Sequence, residues 1–375
     1  MNRETKKTVR RLDLIRGALV LTLILYIAVA LIINSSYLTV DRLMRLRSNV
    51  IYALGRSGDT VEINPEDTLD LQLFQDGYTV LTRNGITVCG VDGNIYSEHI
   101  LQYANPRMEV CGKYILCYDR SGSSWCLLNS FRILCSGTEK GDIVNGAVTE
   151  NGYFAIVSER AEYKGCVTVY NTEGTDLSRW NSVTYLIDAF FTGSGSLTAV
   201  SVSSDPEKPH TIFTVFDYKK AEEVSSVTAS DTFPLALGAK KEGVEMLTSS
   251  GAWLFNGTSV AATHAYPQSS PGIYRQEEDV TFLSYRTLTG TVLAEAFSSD
   301  GATLFSSEYS SVLSLASSGG YFFLLTETEL VILDSSGSVL DRQPSGGASR
   351  VLVSPEIALL CSDGDVIRLD LSALP

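Results

Sequence analysis

The chain has 375 residues, of which 44% are hydrophobic and 19% charged, with 30 glycines. That balance excludes a disordered chain and a coiled coil, and points to a packed, turn-rich fold with an appendage. Residues 1–50 carry nine Lys/Arg and three Asp/Glu, whereas residues 51–375 carry 20 basic against 40 acidic side chains. The acidic bulk argues against a nucleic-acid partner, because phosphate neutralisation needs clustered Lys/Arg.

Residues 1–16 form a basic tail containing Arg3, Lys6, Lys7, Arg10, Arg11 and Arg16, and no charge follows between Gly17 and Ile33. Seventeen residues at about 1.5 Å each span about 26 Å, close to the thickness of a hydrocarbon core. The spacing predicts one transmembrane helix over residues 17–34, acting as an uncleaved signal anchor in the cell membrane. Six basic residues precede it and three follow, Arg42, Arg45 and Arg47. This bias places the N-terminus in the cytoplasm and the rest outside. A cleaved signal peptide is the alternative, but its small-x-small triplet, Ala28-Val29-Ala30, lies inside the apolar run. Residues 35–48 read as a juxtamembrane linker. Leu43, Leu46 and Val50 stand there at helical spacing, a pattern that fits either an anionic membrane surface or a solvated linker.

Residues 49–375 read as all-β. Short runs of Val, Ile, Leu, Phe and Tyr alternate with Gly, Asn, Asp and Ser, as in QDGYTVLTRNGITVCGVDGN from Gln75. The second strand of the unit recurs at Tyr78, Tyr114, Tyr153, Leu197, Val244, Val280, Tyr321 and Ile357, a period of about 40 residues. Turns recur at Asp92-Gly93, at Asn171 to Gly174, at Asn256-Gly257, at Asp300-Gly301 and at Asp334 to Gly337. Their residues accept the positive φ of tight hairpins. Four-stranded meanders repeated at this period are the blades of a β-propeller, here eight, with seven as the alternative. The last unit stops after three strands, and Asn49–Leu54 and Thr60–Ile63 look strand-like. One of these is expected to close the ring as the outer strand of the last blade.

KYILCYDRSGSSWCL from Lys113, and NGYFAIVSERAEYKGCVTVYNTEG from Asn151 followed by Trp180, resemble a family of membrane-anchored propellers from Clostridia and relatives, domain of unknown function 5711. The resemblance implies the fold and the single-helix topology, and brings no catalytic residues.

Chemistry has little raw material. The three histidines, His99, His210 and His264, fall in different repeats, so a His-based metal site or Ser/His/Asp triad is not expected. No G-x-S-x-G, P-loop or H-E-x-x-H string occurs. The repeated Trp turns of quinoprotein dehydrogenases and the S-x-D-x-G-x-T-W turns of sialidases are missing too, and no cofactor is expected. Of seven cysteines, Cys111, Cys117, Cys126 and Cys135 fall in the second unit, one per strand. Free buried thiols are the expectation, with one or two disulfides as the alternative outside the membrane.

Loop geometry remains. In a propeller, second-to-third-strand loops and between-blade loops emerge on one face. Glu159 to Gly165 and Ser204 to His210 read as long second-to-third loops of adjacent units, with between-blade loops at Gly137 to Asp142 and Tyr266 to Gly272. The wall they form contains Glu159, Arg160, Glu162, Tyr163, Asp205, Lys208 and His210. The expectation is a non-enzymatic, membrane-anchored scaffold that binds a protein or cell-envelope partner through this wall. The alternative is an envelope hydrolase or oxidoreductase with its site in the central channel.

Overall fold

Strands that are apolar on both faces need cover on both faces. Ile115–Tyr118, Phe154–Val157, Phe322–Leu325 and Ala358–Leu360 are such runs, and all are buried. The computed structural model describes residue 22, residues 40–54 and residues 67–371 apart from 194, 204, 206, 242, 268–270, 278, 363 and 365. Two compact units appear, Met1–Gly58 and Asp59–Pro375.

In the second unit, eight antiparallel sheets follow one another along the chain, seven of four strands and a last one of three. Each is a blade, with strands A to D running from the channel outwards. Blades 1 to 4 span Thr68–Ile100, Pro106–Thr138, Ile143–Ser182 and Tyr185–Ser230; blades 5 to 8 span Ala236–Ala265, Tyr274–Tyr309, Ser314–Pro344 and Arg350–Asp370. The B strands begin at Gly77, Tyr114, Phe154, Ser196, Gly243, Val280, Tyr321 and Ile357, each within one residue of the position expected from the repeat. Glycines of the expected turns, Gly93, Gly174, Gly257, Gly301 and Gly337, all take φ between +77° and +93°, a region closed to most side chains.

Eight apolar clusters fill the seams between neighbouring blades. That of blades 2 and 3 holds Trp125 against Phe154 and Tyr170, and that of blades 6 and 7 joins Phe282, Phe305 and Phe322 edge-to-face. The eighth lies between the first and last blades, where Leu71, Tyr78, Val80 and Cys89 meet Leu352, Ile357, Leu359 and Cys361. Eight seams for eight blades make a closed ring.

Of the two segments expected to clasp the ring, Asn49–Leu54 does not do so, and Thr60–Ile63 lies outside the described residues. Among the described residues no N-terminal strand joins the last blade; apolar packing closes the seam, reinforced by Arg350–Asp70 at 3.0 Å and Arg368–Asp92 at 3.4 Å. Asn49–Leu54, expected as a strand, is helical, because Val40–Ala53 forms one α-helix that crosses the boundary expected at residue 49. The helical spacing of Leu43, Leu46 and Val50 runs straight through the segment, and an i,i+4 ion pair, Arg45–Asp41 at 3.3 Å, supports the first turns. The apolar run 17–34, apart from Thr22, also lies outside the described residues. Among the described residues, no helix is long and apolar enough to cross a membrane.

Candidate functional site

Two places on the ring gather chemistry. The first is the face where B turns to C and D leads to the next A. Here blade 3 differs from expectation: strand B runs to Arg160 and strand C starts at Tyr163, so Ala161 and Glu162 alone form the turn. Pairing of Arg160 with Tyr163 carries the ladder into polar sequence, where solvated strand ends and a loop have the same composition. Glu159, Glu162, Tyr163 and Lys164 remain exposed, while Arg160 is half-buried beside the Cys166 thiol.

Blade 4 keeps its longer connection between Val202 and His210. Asp205 organises it: its carboxylate accepts from the Glu207 N–H at 3.0 Å, and its carbonyl accepts from the Lys208 N–H at 3.3 Å. His210 Nδ1 lies 3.1 Å from the Lys208 carbonyl, which fixes the proton on that nitrogen. Asp205 and Lys208 are exposed and His210 half-buried.

The sequence reading missed the apolar part of this face. Tyr163, Val183, Tyr185, Phe233 and Leu235 are 42%, 76%, 49%, 58% and 53% exposed. All five lie at hairpin or between-blade ends on this one side of blades 3, 4 and 5. Short contacts hold the strand ends that carry them. Lys164 Nζ sits 4.8 Å from the Tyr185 ring centroid, and Thr184 donates to Ser201 at 2.8 Å. Ser203 N donates to the His210 carbonyl at 2.9 Å, and Thr211 Oγ1 to the Thr232 carbonyl at 3.2 Å, next to Phe233. The signal was present in the sequence: large apolar residues sit at the very ends of strands, where turns are usually polar.

The second place is the central channel, a cavity of about 1250 Å³ lined by the inner strands of all eight blades. Asp70, Glu109, Asn145 and Asp188 occupy the third or fourth position of the inner strands of blades 1 to 4. Burial, reinforced by the charges of Asp188 and Asp70, pushes Glu109 up to about 8. Asp188 rises to about 7, chiefly through burial, against the pull of the Ala189 N–H, Asn145 and Arg120. The Ala189 N–H reaches Asp188 at 2.7 Å. Asn145 is oriented for its role because its carbonyl accepts from Tyr118 Oη at 2.5 Å and from the Gly146 N–H at 3.0 Å, leaving its NH₂ for Asp188. On the neighbouring inner strand of blade 8, Arg350 pairs with Asp70 at 3.0 Å. Among the described residues, no group of three or more His, Cys, Asp or Glu is placed to hold a metal ion.

Residues 49–233 match a family of unknown function, DUF5711. The match begins in the helix and runs past blade 4. Among solved structures, the computationally designed Ika8 protein is 13% identical, with 81% of this chain and 96% of that one covered at a TM-score of 0.61. Sqt1 of Saccharomyces cerevisiae is 10% identical over 83% and 98% at 0.59, and the C-terminal WD40 domain of Sif2 is 10% identical over 84% and 97% at 0.57. Identities this low show a shared fold. No protein with a curated description matches the chain significantly.

Proposed function

We propose that the chain is a membrane-anchored, extracytoplasmic propeller that recruits a protein of the cell envelope through the rim of blades 3 to 5. The observation that carries the reading is the rim itself: five exposed large apolar side chains on consecutive blades, interleaved with Glu159, Glu162, Lys164, Asp205 and Lys208. Isolated exposed apolar residues are ordinary, but several on one face of consecutive blades, flanked by charge, fit a protein-binding surface. Replacing Tyr163, Tyr185 and Phe233 together by Ala tests the rim, because binding energy concentrates in such aromatic anchors.

The anchor rests on the uncharged run from Gly17 to Ile33 and its basic flank. The helix Val40–Ala53 adds support, since Leu43, Leu46 and Val50 are exposed along one stripe beside Arg42 and Arg47, a composition suited to a lipid surface. Protease added to intact, wall-stripped cells is expected to digest the propeller; full protection contradicts this topology.

Glu109 and Asp188 favour a second reading, a small-molecule or catalytic site in the channel. Carboxyl groups that titrate near neutral pH can both give and take a proton there.

A further inference from the structure

Blade 2 carries a cysteine on each strand, all of them free thiols, but pairing sorts them unequally. Cys117 on strand B stands directly opposite Cys126 on strand C. Cys111 faces Tyr114, and Cys135 faces Leu127. Side chains of directly opposed residues share one face of a sheet, with Cα atoms about 4.5 to 5.5 Å apart, inside the span that a disulfide bridges. Both Cys117 and Cys126 point into the seam with blade 1, among Phe74, Leu81, Ile86 and Val88. Cys135 packs instead on the seam with blade 3.

We infer that Cys117 and Cys126 form a reversible dithiol–disulfide couple inside blade 2, oxidised by hydrogen peroxide. The two thiols are unequal. Cys126 is held below its ordinary value by hydrogen bonds from the Cys117 thiol and the Tyr103 hydroxyl, whereas Cys117 is pushed up. Cys126 is therefore the attacking thiolate. Its sulfur displaces water from the protonated peroxide, giving a sulfenic acid; the Cys117 thiol then displaces a second water as the S–S bond forms. Two S–H bonds are lost, the sulfurs give up two electrons, and the peroxide is reduced to two waters. The product ties the two central strands of the blade across the turn at residues 119–124, fixing the wall that Cys117 and Cys126 present to blade 1.

The sequence supplies its own assay. Trypsin cuts after Lys113, Arg120 and Arg132, so Cys117 and Cys126 leave on separate peptides, 114–120 and 121–132, while Cys111 and Cys135 leave on others. Detergent-solubilised full-length protein is treated with hydrogen peroxide, quenched in acid, alkylated and digested without reduction. Peptides 114–120 and 121–132 are expected as one linked species, two hydrogens lighter than their sum. It should separate on reduction and be missing from Cys117→Ser and Cys126→Ser, which change one atom each and keep the fold. Alkyl adducts on both Cys117 and Cys126 after peroxide, or linkage of either to a different cysteine, overturn the couple.

Discussion

Replacing Lys240 by Ala lowers the stability of the propeller by about 3 to 5 kcal/mol, the usual result of leaving one partner of a buried ion pair alone. Lys240 and Glu245 are 4% and 3% exposed, and lie 3.5 Å apart. The ammonium donates to the carbonyls of Glu277 and Val280 at 2.7 and 3.0 Å and to Thr281 Oγ1 at 2.6 Å. Thr281 passes its own hydrogen to Glu245 at 2.6 Å, and Gln276 donates to the same oxygen at 2.8 Å. Lys240 and Glu245 belong to blade 5, and Gln276 and Thr281 to blade 6. One cation thus rivets a seam. Burial holds the Lys240 amine below its ordinary value, against the pull of Glu245. Adding Glu245→Gln to Lys240→Ala removes the stranded carboxylate and recovers part of the loss. Denaturant melts of the two single variants and the double variant measure the coupling; additive losses contradict the network.

Glu109→Gln with Asp188→Asn removes a pH dependence that the parent protein shows. Glu109 moves from 4.5 in an ordinary setting to about 8 in the channel, and Asp188 from 3.8 to about 7. Between those limits the folded protein keeps protons that the unfolded chain has released, so the parent loses stability as pH rises from about 4 to about 8. The double variant has no proton to lose at either position, and its melting curve stays flatter. At pH 8 it exceeds the parent by an amount on the order of 2 kcal/mol, discounted for water in the channel; at pH 4 the two converge. Parallel pH profiles contradict the raised values.

The repeat was legible because buried B strands are continuous apolar runs, and tight turns demand particular residues; both are local properties. One cysteine per strand of blade 2 was legible for the same reason. The segment from Asn49 to Leu54 was misread because Asn-Val-Ile-Tyr-Ala-Leu satisfies both periods, and the helix to its N-terminal side decides between them. Channel carboxylates stayed hidden for a tertiary reason. Asp70 in TLDLQLF, Glu109 in PRMEVC and Asp188 in YLIDAFF each look like one polar residue in an apolar strand. Their convergence appears only when the ring is closed and equivalent positions come to similar height. A single carboxylate recurring at the middle of inner strands was the available signal. On the face where B turns to C, the polar strand ends of blade 3 have the composition of a loop, and each member of the apolar rim stands alone in sequence.

The rim is tested most directly by crosslinking in the intact envelope. Full-length parent protein and the Tyr163→Ala, Tyr185→Ala, Phe233→Ala variant are expressed at equal level, crosslinked in wall-stripped cells and recovered under denaturing conditions. Leu304→Ala, on the outer strand of blade 6, serves as the exposed control. All three positions of the variant are solvent-exposed, so the melting temperature should stay close to that of the parent. The account predicts a discrete partner protein with parent and control, and a loss of about tenfold or more with the triple variant, as removal of aromatic anchors requires. Equal recovery of the same partner by all three proteins contradicts binding through the rim of blades 3 to 5.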